Sequence, residues 1–523
     1  MGNTIAKITQ QNCQNKAEMD QLKRDSSPSP TTSAQPPGVP APAASRSPTP
    51  DRNIFQSGSS ILESSIIWPS VHPVYGTKVE SVTAQDTFFR KLRGSRPGSF
   101  PFMNIFVQEW KAGAHNHFQN NQVPMNFHLD GRNFMEDIGD LTEIHVFKSM
   151  DGLGMKLPSD LSLKTIPAYL DPNQEIGVND SETMERNDKE LGEFLGEYVK
   201  DISMRPTILN NLTTQFYNQK LDKFFKLPSY VADRSMLEEL KNALNVQKES
   251  DFTKKLLSLM PNYEKFLFLS LEGCFTDGHV DFAGSSVYNY ILKASSKSGG
   301  AKMPSLGSRR RCLALFQGQK VFFFARPTKT NLDVYKRHKL ENSEIWIGEV
   351  LAGEWRYVVL DEKDTIFIPA GYIHFVWTPI DSVMIGGNFL MDSELEMQFD
   401  IQKFEEDDYK KELKKGAEKN DSHLFQGFKP FMWGYVEFVL LPKLQNFKDA
   451  ANLDHLLFMA SVFLKELNPN VTAQPYNPTE KKVIIERLEE VVLKIENDKR
   501  KRGSDGGENM PLVPIKRIKL SEN

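Results

Sequence analysis

The sequence predicts an α+β protein in which a closed or two-sheet β core lies between helical flanks. Three observations point there. Seven short apolar segments (Phe266–Leu271, Ser285–Leu292, Lys320–Pro327, Arg356–Leu360, Thr365–Pro369, His374–Thr378 and Ser382–Leu390) follow one another with turn residues between them, the pattern of a barrel or sandwich. Beyond Glu394 the spacing turns helical, with a charged stretch Leu395–Lys419, a largely apolar one over Phe431–Leu467 and an amphipathic one over Lys481–Asn497. Upstream, Lys189–Ser203 sets Leu191, Phe194, Leu195, Tyr198 and Val199 at helical spacing, and a second helix, Met236–Leu244, leads into Phe252–Met260.

Taken in chain order, Asp25 to Asp51 is Ser, Thr, Pro and Ala, with Ser-Pro steps at Ser27, Ser29 and Ser47. Such a segment buries too little apolar surface to order itself, so residues 1–60 are expected to be a disordered tail. Order is expected from near Ile61–Tyr75, through apolar pieces such as Phe102–Val107, so that 61–260 form a mixed support region. Asp151–Lys156 resembles a phosphate loop but lacks the Gly-Lys-Ser/Thr ending, and reads as a turn. The β core is expected over 261–420, interrupted by a polar surface insertion at Ser295–Arg311. A helical region over 421–497 and a basic tail over 498–523 complete the division.

Of the 523 residues, 39% are hydrophobic and 25% charged, as in a soluble globular protein with polar appendages. A net charge of −4 is too small for nucleic-acid binding by bulk electrostatics. Cys13, Cys274 and Cys312 are too scattered for a disulfide framework or a zinc module, which fits a reducing compartment. Met1–Asp25 lacks the apolar core of a secretory signal, and Ala6 stands where a myristoylation motif wants Ser or Thr. The longest mostly apolar run, Phe431–Leu441, contains Gly434 and Glu437 and is too short to cross a bilayer. No membrane association is expected. Two basic clusters, Lys499–Arg502 and Lys516–Lys519, in an end expected to be unstructured, read as nuclear-import signals.

The chemistry is carried by two segments, Thr276–Phe282 and Ile368–His374, which place two histidines about 95 residues apart. Side chains alternate along a strand, so His279 and Asp281 project the same way. His374 from a distant strand would complete two imidazoles and one carboxylate on one side of a metal. That set suits non-haem Fe(II) and leaves coordination positions open. His-x-Asp alone arises by chance; here each half follows a strand-like apolar stretch, which favours the metal reading.

The wider context of these segments resembles one branch of the Jumonji-C oxygenases. Cys274–Val287 (C-F-T-D-G-H-V-D-F-A-G-S-S-V) is similar to that branch's C-Y-T-D-F-H-x-D-F-G-G-T-S-V. Phe367–His374, followed by Thr378–Ser382 and Gly386–Leu390, resembles its F-I-P-x-G-W-I-H, T-P-V-D-S and G-G-N-F-L. Asp151–Lys156 and Leu209–Phe216 match segments upstream. The likeness runs from about Asp151 to Lys415 and points to the lysine-specific demethylase 2/7 branch, nearer its plant-homeodomain-bearing members, although the cysteines of that finger are missing.

The resemblance implies a double-stranded β-helix, of jelly-roll or cupin-like type, flanked by helices. It also implies Fe(II), 2-oxoglutarate as co-substrate, and removal of methyl groups from histone lysines in the nucleus, with chromatin as partner and an adaptor supplying mark recognition. Carried over by motif, the metal ligands and catalytic set are His279, Asp281 and His374, and Thr276 and a lysine hold the co-substrate, with Asn210 and Asn388 near it. Lys320 opens a strand that runs into Pro327 and Thr328, as the family lysine does, and is favoured over Lys293. Three departures stand out: Gly278 for an aromatic residue, Ala283 for a glycine, and Asn289 for a tyrosine that helps hold 2-oxoglutarate. The alternatives are an oxygenase of the same chemistry acting on a non-histone protein, and a catalytically silent chromatin scaffold.

Overall fold

The computed structural model describes residues 82–503, apart from 135–137, 182, 184, 201–203, 206, 248–249, 293–317, 342, 415–424 and 447–451. The expected N-terminal tail, Lys293, the insertion around Ser295–Arg311 and the cluster Lys516–Lys519 lie outside the described residues.

The fold is α+β. Its strands are β1 (Met125–His128), β2 (Ile144–Phe147), β3 (Glu175–Asp180), β4 (Arg186–Glu190), β5 (Leu209–Gln215), β6 (Phe266–Ser270), β7 (Phe275–His279), β8 (Ser286–Ile291), β9 (Gln319–Ala325), β10 (Arg356–Asp361), β11 (Thr365–Ile368), β12 (Ile373–Ile380) and β13 (Ser382–Phe389). They form two sheets: nine strands in the order β1-β2-β11-β8-β13-β6-β5-β3-β4, and four in the order β10-β9-β12-β7. From β6 onward the chain alternates between the sheets except at β9 and β10, which both belong to the smaller one, and strands of both line one cavity between them.

Alternation along each strand explains why nearly all of these residues are buried. On β9, Phe322 and Phe324 pack with Val287, Ile366 and Met384 of the large sheet, while Val321, Phe323 and Ala325 face the other way. That second face is covered by two helices, Val82–Leu92 and Phe100–Lys111, through Phe88, Phe102, Phe106 and Trp110. The outer face of the large sheet (Leu267, Leu269, Tyr288, Tyr290, Val383, Ile385) packs on Leu153, Phe194, Tyr198 and Tyr230 from the upstream region. Strands covered on both faces read as continuous apolar runs rather than alternating ones.

The apolar piece Phe102–Val107 is helical: Phe102, Met103, Phe106 and Trp110 form one buried stripe, and Pro101 sits in the first turn. The stretch read as helical over Lys189–Ser203 shortens to Leu191–Glu197, preceded by β4. Lys329–Glu341 is a helix that the sequence reading passed over, because charge at most positions hides its buried pair Leu332 and Tyr335. After β13 come Leu395–Lys414 and a helical core including Phe428–Tyr435, Leu453–Glu466 and Pro478–Gly503. Lys499–Arg502 therefore ends a helix instead of lying in an unstructured tail, and Lys499 Nζ pairs with Asp454 at 2.5 Å. Among the described residues no helix is long and apolar enough to cross a membrane.

Arg205 grips both oxygens of Asp381 at 2.6 Å, and Glu272 N–H donates to Asp381 Oδ1 at 2.6 Å. Both side chains are buried, so the residue between β12 and β13 is tied to the approach to β5. Asp381→Ala leaves a buried guanidinium unpaired and is expected to cost about 3–5 kcal/mol in urea unfolding. Arg205→Met with Asp381→Leu should cost less than that single change.

Candidate metal centre and its cavity

The centre is built where β12 runs antiparallel to β7. His374 is the register partner of His279, and their ring centroids are 4.2 Å apart. Between His374 and Val376 the register slips: Val376 pairs with Thr276, so β7 carries one residue more than β12 there. This bulge at Asp277 and Gly278 resets the alternation, so Thr276 and His279, three apart, both line the cavity. Asp281 lies beyond the strand, in extended backbone (φ −62°, ψ 144°), just before the 3-10 turn Phe282–Gly284. Ala283 within that turn has φ +51°, in the left-handed region, where the family's glycine would be unstrained.

The ligand atoms of His279, Asp281 and His374 lie within 4.8 Å of one another, and His374 Nε2 is 3.7 Å from Asp281 Oδ2. His279 Nδ1–H donates to the Asp277 carbonyl at 2.8 Å, and His374 Nδ1–H to the Tyr372 carbonyl at 3.1 Å. Backbone acceptors thus fix both tautomers and leave each Nε2 as a lone-pair donor. Asn388 Nδ2 donates to Asp281 Oδ1 at 3.1 Å and to Ser285 Oγ at 3.0 Å, which leaves Oδ2 toward the histidines. Burial, with His374 beside it, pushes the His279 imidazole down to about 3, so it is neutral at physiological pH. Burial raises the Asp281 carboxyl, against the pull of His374 and Asn388. A buried carboxylate facing two imidazole Nε2 atoms lacks a positive charge, and a divalent metal would supply it. The donor set fits.

The same cavity, about 630 Å³, is lined by Thr276, Asn289, Lys320, Phe322 and Asn388 together with the three metal-type ligands. Lys320 is buried, and its Nζ donates to Ser270 Oγ at 2.6 Å. Ser270 Oγ–H donates to Asn210 Oδ1 at 2.7 Å, and Asn210 Nδ2 donates to Thr276 Oγ1 at 3.2 Å. Lys320, Ser270, Asn210 and Thr276 are thus one hydrogen-bonded row from β9, β6, β5 and β7. No carboxylate pairs with Lys320 among the described residues, and burial pushes its ammonium down to about 8. Asn289 Oδ1 is buried without a partner.

All seven site residues named from the sequence are therefore brought together, while Lys293 lies outside the described residues. Sequence reasoning passed over Ser270, although a polar residue in phase with inward Phe266 and Phe268 was a legible signal. It also passed over Tyr335 from Lys329–Glu341 and Glu405 and Asp408 from Leu395–Lys414, which line the cavity from helices with no local sign of it. Gly278 is explained by packing: a Cβ there would stand 2.2 Å from Ile347 Cγ2.

No family model matches the chain. In fold and site, the class is that of a two-sheet protein with a two-histidine, one-carboxylate centre, and curated sequences place it further. The chain is homologous to Jumonji-C histone lysine demethylases. It is 28% identical over 265 residues to lysine-specific demethylase 2B of Mus musculus, covering 50% of this chain and 18% of that one. Over 302 residues it is 28% identical to histone lysine demethylase PHF8 of Danio rerio (57% and 25% covered). Over 338 residues it is 28% identical to JmjC domain-containing histone demethylation protein 1 of Yarrowia lipolytica (62% and 58% covered). The matched part thus spans between 18% and 58% of these relatives' lengths.

In a calorimetric titration with Mn(II), the protein should take up one ion. His279→Ala should abolish uptake without lowering the melting temperature, whereas Asn388→Ala should weaken it by about 10–100-fold, as loss of a ligand-orienting partner does.

Proposed function

We propose that this chain is an Fe(II)- and 2-oxoglutarate-dependent dioxygenase of double-stranded β-helix fold that removes methyl groups from histone lysines in the nucleus. The observation that carries it is Lys320: a buried cation without a counter-anion, in the cavity that holds His279, Asp281 and His374. A dicarboxylate co-substrate answers that cation while leaving its other end for the metal. The alternation of strands between two sheets around the cavity supports the β-helix reading. In this reading 261–420 is the catalytic unit, supported by 61–260 and 421–497, and the substrate class follows that of the histone demethylases it resembles.

Each residue then has a defined task. His279, Asp281 and His374 hold the metal, and Asn388 orients the carboxylate. Thr276, its oxygen already accepting from Asn210, has its hydroxyl proton free to donate to the distal carboxylate that Lys320 neutralises. Asn289 offers a carboxamide in the same cavity. Phe268, Phe322 and Val376 keep the walls apolar, which strengthens every charge contact inside. Iron and 2-oxoglutarate, when bound, would supply activation of O₂, one oxygen atom going to succinate as 2-oxoglutarate loses CO₂ and the other to an N-methyl carbon, which leaves as formaldehyde from a lysine with one methyl fewer.

Purified protein incubated with methylated histone peptides, Fe(II) and 2-oxoglutarate should release formaldehyde and shorten the peptide by a methyl group in mass spectrometry. A stable hydroxyl product without formaldehyde would refute demethylation. Lys320→Ala should weaken 2-oxoglutarate binding at least roughly a hundredfold, since it removes the buried partner of a carboxylate. The free lysine loses its proton as pH rises through about 8. Wild-type affinity, followed by fluorescence displacement, should therefore be flat below that value and fall about tenfold per unit above it.

A further inference from the structure

The cavity is electrically polarised, and only its cationic end has been given a ligand above. At another part of its wall Glu405 and Asp408 project from helix Leu395–Lys414, beside Phe282, Tyr335 and Phe404. Glu405 Oε2 accepts the N–H of Ala283 at 2.9 Å, so it is fixed two residues from Asp281. Its other oxygen makes no hydrogen bond or ion pair to a lysine or arginine among the described residues. Asp408 Oδ1 is buried and likewise unpartnered. Neither carboxylate is ion-paired with a lysine or arginine among the described residues. Lys339 lines the same cavity, with Nζ 5.8 Å from the Tyr335 ring centroid. Burial, with Asp281 and Glu406 adding repulsion, holds the Glu405 carboxyl well above the usual range, and a cation entering the cavity would bring it back.

We propose that Glu405 and Asp408 are specificity-determining residues that draw the positively charged side chain of a basic peptide into the cavity, Glu405 steadying its ammonium group beside the metal centre. This rests on the function proposed above. The aromatic rings of Tyr335 and Phe404 at the same wall favour an alkylated ammonium, whose diffuse charge loses little by leaving water. A short, fixed carboxylate selects cationic over neutral side chains without contributing to the oxidation. The two residues are therefore positioning groups.

The test is equilibrium binding by fluorescence anisotropy, with Ni(II) in place of iron so that no turnover occurs. The probes are a labelled arginine- and glycine-containing peptide bearing one Nε,Nε-dimethyl-lysine, and the same peptide with norleucine at that position. Glu405→Gln keeps an acceptor for Ala283 N–H, and Asp408→Asn keeps the side-chain shape. Each should weaken the dimethyl-lysine peptide roughly tenfold, as expected for loss of a charged hydrogen-bond partner, and leave the norleucine peptide and Ni(II) affinity unchanged. Equal losses for both peptides, or none for either variant, would overturn the proposal. An absence of formaldehyde in the turnover assay alongside charge-selective binding here would refute the demethylase reading alone.

Discussion

Where β12 lies against β7, one extra residue in β7 decides what the centre contains. In a regular strand Thr276 and His279 would face opposite sides, and the cavity would hold either the imidazole or the hydroxyl. The bulge at Asp277 and Gly278 places both inside. It is held from outside: Asp277 Oδ1 accepts from Trp346 Nε1 at 2.8 Å, and Ile347 occupies the space over Gly278. Trp346 in turn packs among Phe89, Phe102 and Phe375. The aromatic cluster under the small sheet is thus a support for the register of two strands, and through it for the spacing of His279, His374 and Thr276.

The second dependency is electrostatic. Lys320, buried on β9, faces the same way as Phe322 and Phe324, so strand alternation alone commits its ammonium to the space between the sheets. The row through Ser270 and Asn210 to Thr276 orients the donors without neutralising the charge. Hydrogen bonding to a neutral hydroxyl compensates only part of the desolvation of an ammonium, which is why its proton affinity drops.

Seven of the eight strands from β6 to β13 were legible because each is a compact apolar run, and their ends moved by a residue or two; β7, with its polar Thr276, Asp277 and His279, is not such a run. The group His279, Asp281 and His374, which the fold brings together, was legible because each residue sits in a short, distinctive context. Thr276 came only from the resemblance, since period-two reasoning puts it on the wrong face and the bulge is a tertiary effect, set by Trp346 and Ile347 about seventy residues away. Helix Lys329–Glu341 was illegible for another reason: it buries one narrow edge, Asn331, Leu332 and Tyr335, beneath a mostly charged surface. Glu405 and Asp408 were invisible because a charged helix looks the same whether it faces solvent or a cavity.

The departures from the family pattern differ in kind. Gly278 is repaid locally, since the side chain it lacks would collide with Ile347. Asn289 is not: its Oδ1 is buried without a donor, and Gly386, itself without a side chain, lies against it. Around it the same cavity gathers the Lys320 ammonium and the Asp281 carboxylate, neither of them paired with a carboxylate, lysine or arginine among the described residues, and the His279 imidazole, which burial keeps neutral. Each of these costs folding free energy, and apolar residues of similar size would pack there at less cost. Local rules broken together in one cavity, and obeyed in the cores around it, mark the place where stability is given up for binding. The missing partners have signs and positions: an anion by Lys320, a divalent cation between the histidines and a donor by Asn289. The groups on the cavity wall thus fix the charge that any ligand entering it has to carry.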